Sequence, residues 1–127
     1  MRHIMVMNPK GGCGKSTLAT NSASYFVSEG AAVALADYDP QRSSLDWLAR
    51  RPENRPAIAG VAGYESGLRH APRNADFIII DAPARSHGKE LVDLINHAET
   101  ILVPVLPSTI DIQATANFLE ELKGVSK

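Results

Sequence analysis

Residues 10–17 read KGGCGKST and lie between a short apolar run ending at Met7 and a helical stretch beginning near Lys15. A polyphosphate is bound by several backbone N–H groups that point into one concavity, and glycine tolerates the unusual φ and ψ angles this requires. The helix after the loop directs the positive end of its dipole at the same anion. A glycine-rich turn capped by Ser16 or Thr17 is the simpler interpretation. The three glycines, the GKST core and the strand–loop–helix context together favour a phosphate-binding loop.

The residues of this loop have distinct predicted contacts. Lys15 is expected to reach the β- and γ-phosphates of a nucleotide as a point charge, and Ser16 to offer its hydroxyl to Mg²⁺. Cys13 fills the variable position of the loop, where packing is the simplest explanation of a small side chain. The predicted nucleotide-binding set is Gly11, Gly12, Cys13, Gly14, Lys15, Ser16 and Thr17.

Short apolar runs alternate with helical stretches along the chain, a pattern that predicts an α/β fold with a mostly parallel sheet flanked by helices. The predicted strands are His3–Met7, Ala32–Ala36, Phe77–Ile80 and Thr100–Leu106, with Ile58–Val61 as at best a short edge strand. The predicted helices span residues 15–29, 89–98 and 110–122, with a further helix that has Ser43 or Ser44 near its N-cap and stops before Pro52. The helix over 15–29 is expected to stop at Gly30 and the last one at Gly124.

Acidic residues follow two of the predicted strands. Asp81 comes directly after the apolar run Phe77–Ile80, and Asp37 and Asp39 come directly after Ala32–Ala36. Ligands of open parallel sheets bind beyond the carboxyl ends of the strands. Asp81 on its own fits a helix or turn cap, and the sequence DYDP on its own fits an ordinary turn. Beside a phosphate-binding loop, Asp81 is instead predicted to hold the hydration shell of Mg²⁺, through water.

Composition restricts the class of protein. A chain of 127 residues with 44% hydrophobic and 21% charged residues is typical of one soluble globular domain. Cys13 is the only cysteine, so no internal disulfide can form, and the apolar runs are too short to span a bilayer. Between positions 42 and 73 the sequence has six arginines and only three acidic residues. This excess of positive charge fits either a phosphate-binding surface or, more simply, solvated helix faces. A cytoplasmic location is expected.

Three motifs resemble the ParA/MinD family of P-loop ATPases. The first is the loop itself, in which Pro9 stands at the first glycine position of the general P-loop and a second lysine, Lys10, follows it. The second is Asp37–Gln41 (DYDPQ), which resembles the family's first switch, and the third is Asp76–Asp81, which resembles a Walker B strand. The resemblance implies a Rossmann-like three-layer P-loop fold that binds ATP and Mg²⁺.

The family resemblance also implies roles for individual residues. Lys10 would reach across an ATP-sandwich dimer to the phosphates of the partner, and Asp39 would position the hydrolytic water. The implied catalytic residues are Lys10, Lys15 and Asp39, and the implied metal-site residues are Ser16, Asp37 and Asp81. The segment Pro107–Asp111 (PSTID) resembles a family segment beside the nucleotide and the dimer face.

The likeness extends from Arg2 to about Leu122 and is weakest between Arg51 and Asn74. Family members usually continue with a strand that contacts adenine and with helices that bind DNA or a membrane. Residues 1–127 are therefore expected to form a single P-loop ATPase domain that lacks the C-terminal part of the family fold. The first predicted strand begins at the N-terminus, so no helix-turn-helix domain is expected before it, and the chain resembles the small ParA proteins.

The function implied by the resemblance is that of an ATP-dependent switch. ATP would close a homodimer that binds nucleoid DNA without sequence preference, and a ParB-like or cargo-adaptor protein would stimulate otherwise slow hydrolysis. The cargo would be a plasmid, a chromosome region or a protein assembly, and no membrane is expected as a partner.

Three alternatives stay open. A MinD-like membrane-surface ATPase is disfavoured by the last predicted helix, which contains Glu120 and Glu121 and little basic charge. A non-hydrolysing nucleotide-dependent interaction module is disfavoured by the presence of Lys10, Lys15 and Asp39. A metabolic P-loop ligase is a further alternative, for which the sequence offers no second substrate site.

Overall fold

The structure is a computed structural model that describes residues 1–7, 14–83, 88–105 and 107–125. The described residues form ten regular elements. In chain order these are β1 (Arg2–Val6), α1 (Lys15–Ser28), β2 (Val33–Asp37), α2 (Ser43–Ala49), β3 (Ala59–Ala62), α3 (Gly63–Ser66), β4 (Phe77–Asp81), α4 (Gly88–His97), β5 (Thr100–Leu102) and α5 (Thr109–Val125).

The strands form one sheet in the order β3-β2-β4-β1-β5, and every described pair is parallel. The central strand β4 places Asp81 beside Asp37 of β2 on one side and beside Val6 of β1 on the other. The prediction of an α/β fold with a mostly parallel sheet is confirmed. The weakly apolar run near Ile58 does form an edge strand, β3.

Helices cover both faces of the sheet. On one face, Val6, Leu35 and Ile79 share a buried cluster with residues of α1 such as Ala23. On the other face, Ile78 and Ile80 belong to a second cluster, whose helical members are Leu94, Ile95, Phe118 and Leu122. Successive side chains of a strand point to opposite faces, so a strand buried on both faces is apolar at every position. This is the physical reason for the uninterrupted run Phe77–Ile80.

The largest differences from the predicted elements concern β5, α5 and α3. Strand β5 ends at Leu102, whereas the sequence pattern predicted a strand as far as Leu106, which lies outside the described residues. Pro104 explains the early end, because proline has no N–H to donate to a neighbouring strand. Helix α5 continues through Gly124 to Val125 instead of stopping there. The short helix α3 was not predicted. By contrast, α1 ends at Ser28 and is followed by Gly30 with φ +92°, as a glycine stop requires.

None of the helices in the described ranges combines the length and the hydropathy that a membrane-spanning helix needs.

Candidate functional site

Helix α1 begins at Lys15, directly after Gly14, which is the first described residue of the predicted phosphate loop. Gly14 is the N-cap of α1 with φ +86° and ψ 18°, in the left-handed region that favours glycine. A Cβ built on Gly14 would meet nothing within 4 Å, so the backbone angle is the reason for the glycine and steric crowding is not. Glycine has no side chain to cap the helix, which leaves the N–H groups of the first turn available to a bound anion.

The side chains of Lys15 and Ser16 both bind the carboxylate of Asp81. The Nζ atom of Lys15 lies 2.8 Å from Asp81 Oδ1, and Ser16 Oγ donates a hydrogen bond of 2.8 Å to Asp81 Oδ2. Asp81 is fully buried and Lys15 is 8% exposed. These residues are far apart in sequence and meet because β1, which leads into the loop, pairs with β4. The groups predicted for phosphate and for Mg²⁺ thus converge on the predicted Walker B carboxylate.

Asp37 lies beside Asp81 on the neighbouring strand β2 and is also fully buried. Its Oδ1 atom accepts a hydrogen bond from the backbone N–H of Asp39 (3.0 Å), and its Oδ2 atom accepts from those of Ser44 (3.1 Å) and Leu45 (3.3 Å). Burial raises the pKa of the Asp37 carboxyl above its ordinary value, and the charge of Asp81 raises it further, while the backbone N–H donors oppose the shift. Donors at the start of α2 therefore bind both the Asp37 and the Asp81 carboxylate, which repel each other.

Asp39 lies in the turn that follows β2. Its backbone N–H is held by Asp37, and its own Oδ1 accepts the backbone N–H of Gln41 at 3.0 Å, as in an Asx turn. The side chain is partly exposed. The backbone N–H of Asp39 therefore fixes this turn to the side chain of Asp37 by a hydrogen bond. The role of Asp39 in positioning water stays a prediction.

Sequence reasoning missed the contact between Ser44 and Asp81. The sequence predicted Ser43 or Ser44 near the N-cap of α2, and this is confirmed: the N-cap is Arg42, with φ +61°, and Ser43 is the first residue of the helix. Ser44 lies within the first turn, fully buried, and its Oγ donates to Asp81 Oδ2. A serine so close after the DYDPQ segment was the available signal, but the capping preference of serine explained it equally well.

The residues present fit a Mg²⁺–polyphosphate ligand. Asp37, Asp81 and Ser16 supply carboxylate and hydroxyl oxygens, the donors that Mg²⁺ prefers, and Lys15 supplies the charge for a phosphate. Within the described ranges no group of three or more His, Cys, Asp or Glu side chains could hold a metal. Mg²⁺ is commonly bound by one or two carboxylates plus the phosphates of a substrate, which agrees with this donor set.

The remaining predicted residues stand as follows. Thr17 is exposed, and its carbonyl oxygen accepts hydrogen bonds from the side chains of Thr20 and Asn21, so its nucleotide contact stays a prediction. In the segment Pro107–Asp111, Ser108 Oγ donates to the carboxylate of Asp111 and accepts its backbone N–H, which is a helix-capping arrangement at the start of α5. Four predicted site residues lie outside the described residues: Lys10, Gly11, Gly12 and Cys13.

A cavity of about 540 Å³ borders the segment after β2 on the side of α3 and α4. Tyr38, the residue between the two aspartates, lines this cavity, and burial raises the pKa of its hydroxyl. A Cβ added to Gly63 would lie 2.6 Å from the Tyr38 ring. The unpredicted helix α3 therefore begins with glycine because the Tyr38 ring occupies the space that a side chain would need.

The chemistry of this site agrees with a sequence comparison across protein families. The CobQ/CobB/MinD/ParA nucleotide-binding domain (CbiA) matches residues 4–126. The chain belongs to this family. The fold is accordingly that of a P-loop NTPase of the ParA/MinD type.

Curated relatives within the family include partition and positioning proteins. The chain is 31% identical over 129 residues to the maintenance of carboxysome distribution protein A of Halothiobacillus neapolitanus, covering 98% of the chain and 59% of that relative. It is 29% identical over 157 residues to the chromosome-partitioning ATPase Soj of Thermus thermophilus, covering 98% of the chain and 63% of Soj. The chain thus spans about three fifths of the length of these relatives.

Solved structures of the family show the same fold with nucleotide bound. Cobyrinic acid a,c-diamide synthase of Mycobacterium smegmatis, solved with an ATP analogue and magnesium, superposes with a TM-score of 0.74 at 23% identity. The match covers 98% of the chain and 68% of that structure. At this identity the likeness concerns the fold alone, because one fold serves many reactions.

Proposed function

We propose that the chain is the nucleotide-binding part of a ParA-type ATPase, which closes a homodimer with ATP and positions or segregates a cargo. The observation that carries the proposal is the convergence of Lys15 and Ser16 on the buried Asp81 carboxylate. A lysine, a hydroxyl and a carboxylate at the N-terminus of a helix are the groups that a Mg²⁺–nucleotide needs. The similarity to partition and carboxysome-distribution proteins over nearly the whole chain supports the biological class.

Each residue of the site has a task in binding and hydrolysis. Lys15 exchanges the Asp81 carboxylate for the β- and γ-phosphates, and Ser16 turns its hydroxyl oxygen to Mg²⁺. Asp81 and Asp37 then hold the hydration shell of the metal. Mg²⁺–ATP supplies the phosphoryl group and neutralises the charge that develops on it. Asp39 orients the attacking water, and Lys10 contacts the phosphates of the opposite protomer.

The dimer is the form that binds DNA without sequence preference. A ParB-like or cargo-adaptor protein stimulates slow hydrolysis and resets the cycle. The cargo is a plasmid, a chromosome region or a protein assembly, and the protein acts in the cytoplasm at the nucleoid.

The nucleotide part of the proposal is tested by binding of a fluorescent ATP analogue in the presence of Mg²⁺. The Lys15→Ala variant is expected to bind at least about tenfold more weakly, because a charge-assisted contact to phosphate is lost. Lys123→Ala is the matched control, since Lys123 is an exposed lysine of α5 that donates to the carboxylate of Glu120 at 3.2 Å. Equal binding by the wild type and Lys15→Ala would remove the basis of the proposal.

Turnover and DNA binding test the remaining parts. Asp39→Ala is expected to abolish most ATP hydrolysis while ATP still binds, and unchanged turnover would favour a non-hydrolysing module. Fluorescence anisotropy of a random DNA duplex is expected to show salt-sensitive binding with Mg²⁺–ATP and not with ADP. If ATP dimerises the protein without any DNA binding, a membrane or protein surface replaces DNA as the partner.

A further inference from the structure

The side chain and the backbone of Ser44 bind two different buried carboxylates. The hydroxyl donates to Oδ2 of Asp81, and the backbone N–H donates to Oδ2 of Asp37 at 3.1 Å. Ser44 is fully buried, as are both aspartates. The two buried carboxylates need hydrogen-bond donors between them, because an unsatisfied carboxylate oxygen in the protein interior would strongly destabilise the fold. The Ser44 hydroxyl is one of these donors.

These contacts form a continuous path through the site. Asp81 accepts from Ser44, the backbone of Ser44 binds Asp37, and Asp37 accepts the backbone N–H of Asp39. The path runs from the centre of the sheet to the turn that holds the predicted water-positioning residue. The start of α2 is held in place by the left-handed backbone of Arg42, whose carbonyl accepts the N–H of Asp46.

The donors on Asp81 differ in what they must do when nucleotide binds. Lys15 and Ser16 occupy one oxygen each, and both are the groups that bind phosphate and Mg²⁺ in the proposed function. A serine hydroxyl is one donor with two acceptor lone pairs, so Ser16 can keep its proton on Asp81 but takes on the metal as a second partner. The hydroxyl of Ser44 has no such second task, so it can stay on Asp81 throughout.

We propose that Ser44 is a positioning residue of the nucleotide site, which orients the Asp81 carboxylate for Mg²⁺ and couples it to the Asp39 turn. This inference rests on the proposed function, since it assigns a role in the same site. It predicts that the Mg²⁺ requirement depends on the Ser44 hydroxyl, whereas nucleotide contacts made by the loop do not.

The first test is a Mg²⁺ titration of fluorescent ATP-analogue binding. Ser44→Ala is expected to raise the Mg²⁺ concentration for half-maximal binding about tenfold, the size of one hydrogen bond to a charged group. Binding of the analogue without Mg²⁺ is expected to be unchanged. Ser43→Ala is the matched control, because Ser43 is the preceding residue of the same helix and its side chain is exposed.

A conservative variant separates positioning from packing. Ser44→Thr keeps the hydroxyl and adds a methyl group in a fully buried place, so it is expected to lower the melting temperature. Its Mg²⁺ requirement is nevertheless expected to stay within about threefold of the wild type. A purely structural role predicts the opposite ranking, in which the Mg²⁺ requirement follows stability. If Ser44→Ala fails to fold, the Thr variant decides, and a raised Mg²⁺ requirement in it would overturn the inference.

The second readout is the fluorescence of Trp47, the only tryptophan, which lies one turn after Ser44 in α2. In the wild type, Mg²⁺–nucleotide is expected to change its emission, and in Ser44→Ala this response is expected to be at least halved at saturating nucleotide. A folded Ser44→Ala protein with the wild-type Mg²⁺ requirement and the wild-type Trp47 response would overturn the inference. Failure of the wild type to bind nucleotide at all would instead refute the proposed function itself.

Discussion

Asp37 and Asp81 are register partners on the adjacent strands β2 and β4, and both side chains are fully buried. Two carboxylates in this arrangement repel each other, and the fold offsets the repulsion with different donors for each. Asp81 receives the ammonium of Lys15 and two hydroxyls, whereas Asp37 receives three backbone N–H groups. The proposed function uses the same two carboxylates for Mg²⁺, so a substitution at either one is expected to change both the stability of the fold and the binding of ligand.

Removing the charge of Asp81 is expected to destabilise the protein in the absence of nucleotide. In Asp81→Asn the buried ammonium of Lys15 loses its counter-charge, which usually costs more than the pair itself contributes. Relief of the repulsion with Asp37 offsets part of this loss, so we expect the free energy of unfolding to fall by about 2 kcal/mol. Urea denaturation measures it. The control Asp46→Asn, at an exposed carboxylate 4.0 Å from Arg42, is expected to change it by less than about 0.5 kcal/mol. A smaller effect at Asp81 than at Asp46 would contradict this account.

The stability of the Asp37→Asn variant relative to the wild type is expected to improve as the pH rises. The folded-state pKa of Asp37 lies above the value of 3.8 expected for the unfolded chain. The stabilising contribution of its protonated form is therefore full below that value and is lost as the pH rises through the folded-state pKa. Asparagine does not titrate. The substitution also removes one of the two acceptor oxygens at this position, and this loss lowers the stability of the variant by the same amount at every pH. Urea midpoints of both proteins between about pH 4 and about pH 7 give the difference, and a difference independent of pH would show that the Asp37 carboxyl titrates normally.

Gly63→Ala is expected to destabilise the protein because the added methyl group would lie 2.6 Å from the Tyr38 ring. Overpacking of this kind costs about 1–3 kcal/mol, which thermal unfolding detects as a lower melting temperature. Gly124→Ala is the matched control, since a Cβ there meets nothing within 4 Å and α5 continues through the residue. Alanine is the better helix former, so this variant is expected to be neutral or slightly more stable. In a Tyr38→Ala background the Gly63→Ala effect is expected to shrink, and an undiminished effect would locate the clash elsewhere.

Arg51→Lys is expected to be destabilising although it conserves charge. The guanidinium donates through Nε and Nη2 to the carbonyl oxygen of Pro56 and through Nη1 to Ser24, and it lies 5.5 Å from the centre of the Trp47 ring. Lysine cannot make this forked contact, so we expect a loss of about 1 kcal/mol in the free energy of unfolding, with a shift in Trp47 emission. Arg50→Lys, at the exposed neighbouring arginine, is the control. Equal effects of the two substitutions would mean that the Arg51 contacts contribute no stability.

Local sequence signals predicted the parts of the molecule that depend on local chemistry. Gly14 was expected to take unusual φ and ψ angles as a glycine of the phosphate loop, and its φ of +86° agrees. The run Phe77–Ile80 was expected as a buried parallel strand because it is apolar at every position, and it is the core of β4. Gly30 was expected to stop α1, and it follows the end of that helix. In each case the physical cause acts within a few residues.

The contacts between distant segments were decided only by the tertiary structure. The burial of Ser44 against Asp81 depends on how α2 packs over β2 and β3, and the preference of serine for helix caps pointed to a different explanation. Helix α3 forms where the Tyr38 ring covers Gly63, and no local pattern announces that contact. The sequence by itself thus determined the glycine before α1, the class of fold and the two acidic positions, because glycine angles and apolar runs are local properties. The tertiary structure alone decided which donor each carboxylate receives, because hydrogen bonds across the sheet depend on strand order and helix packing.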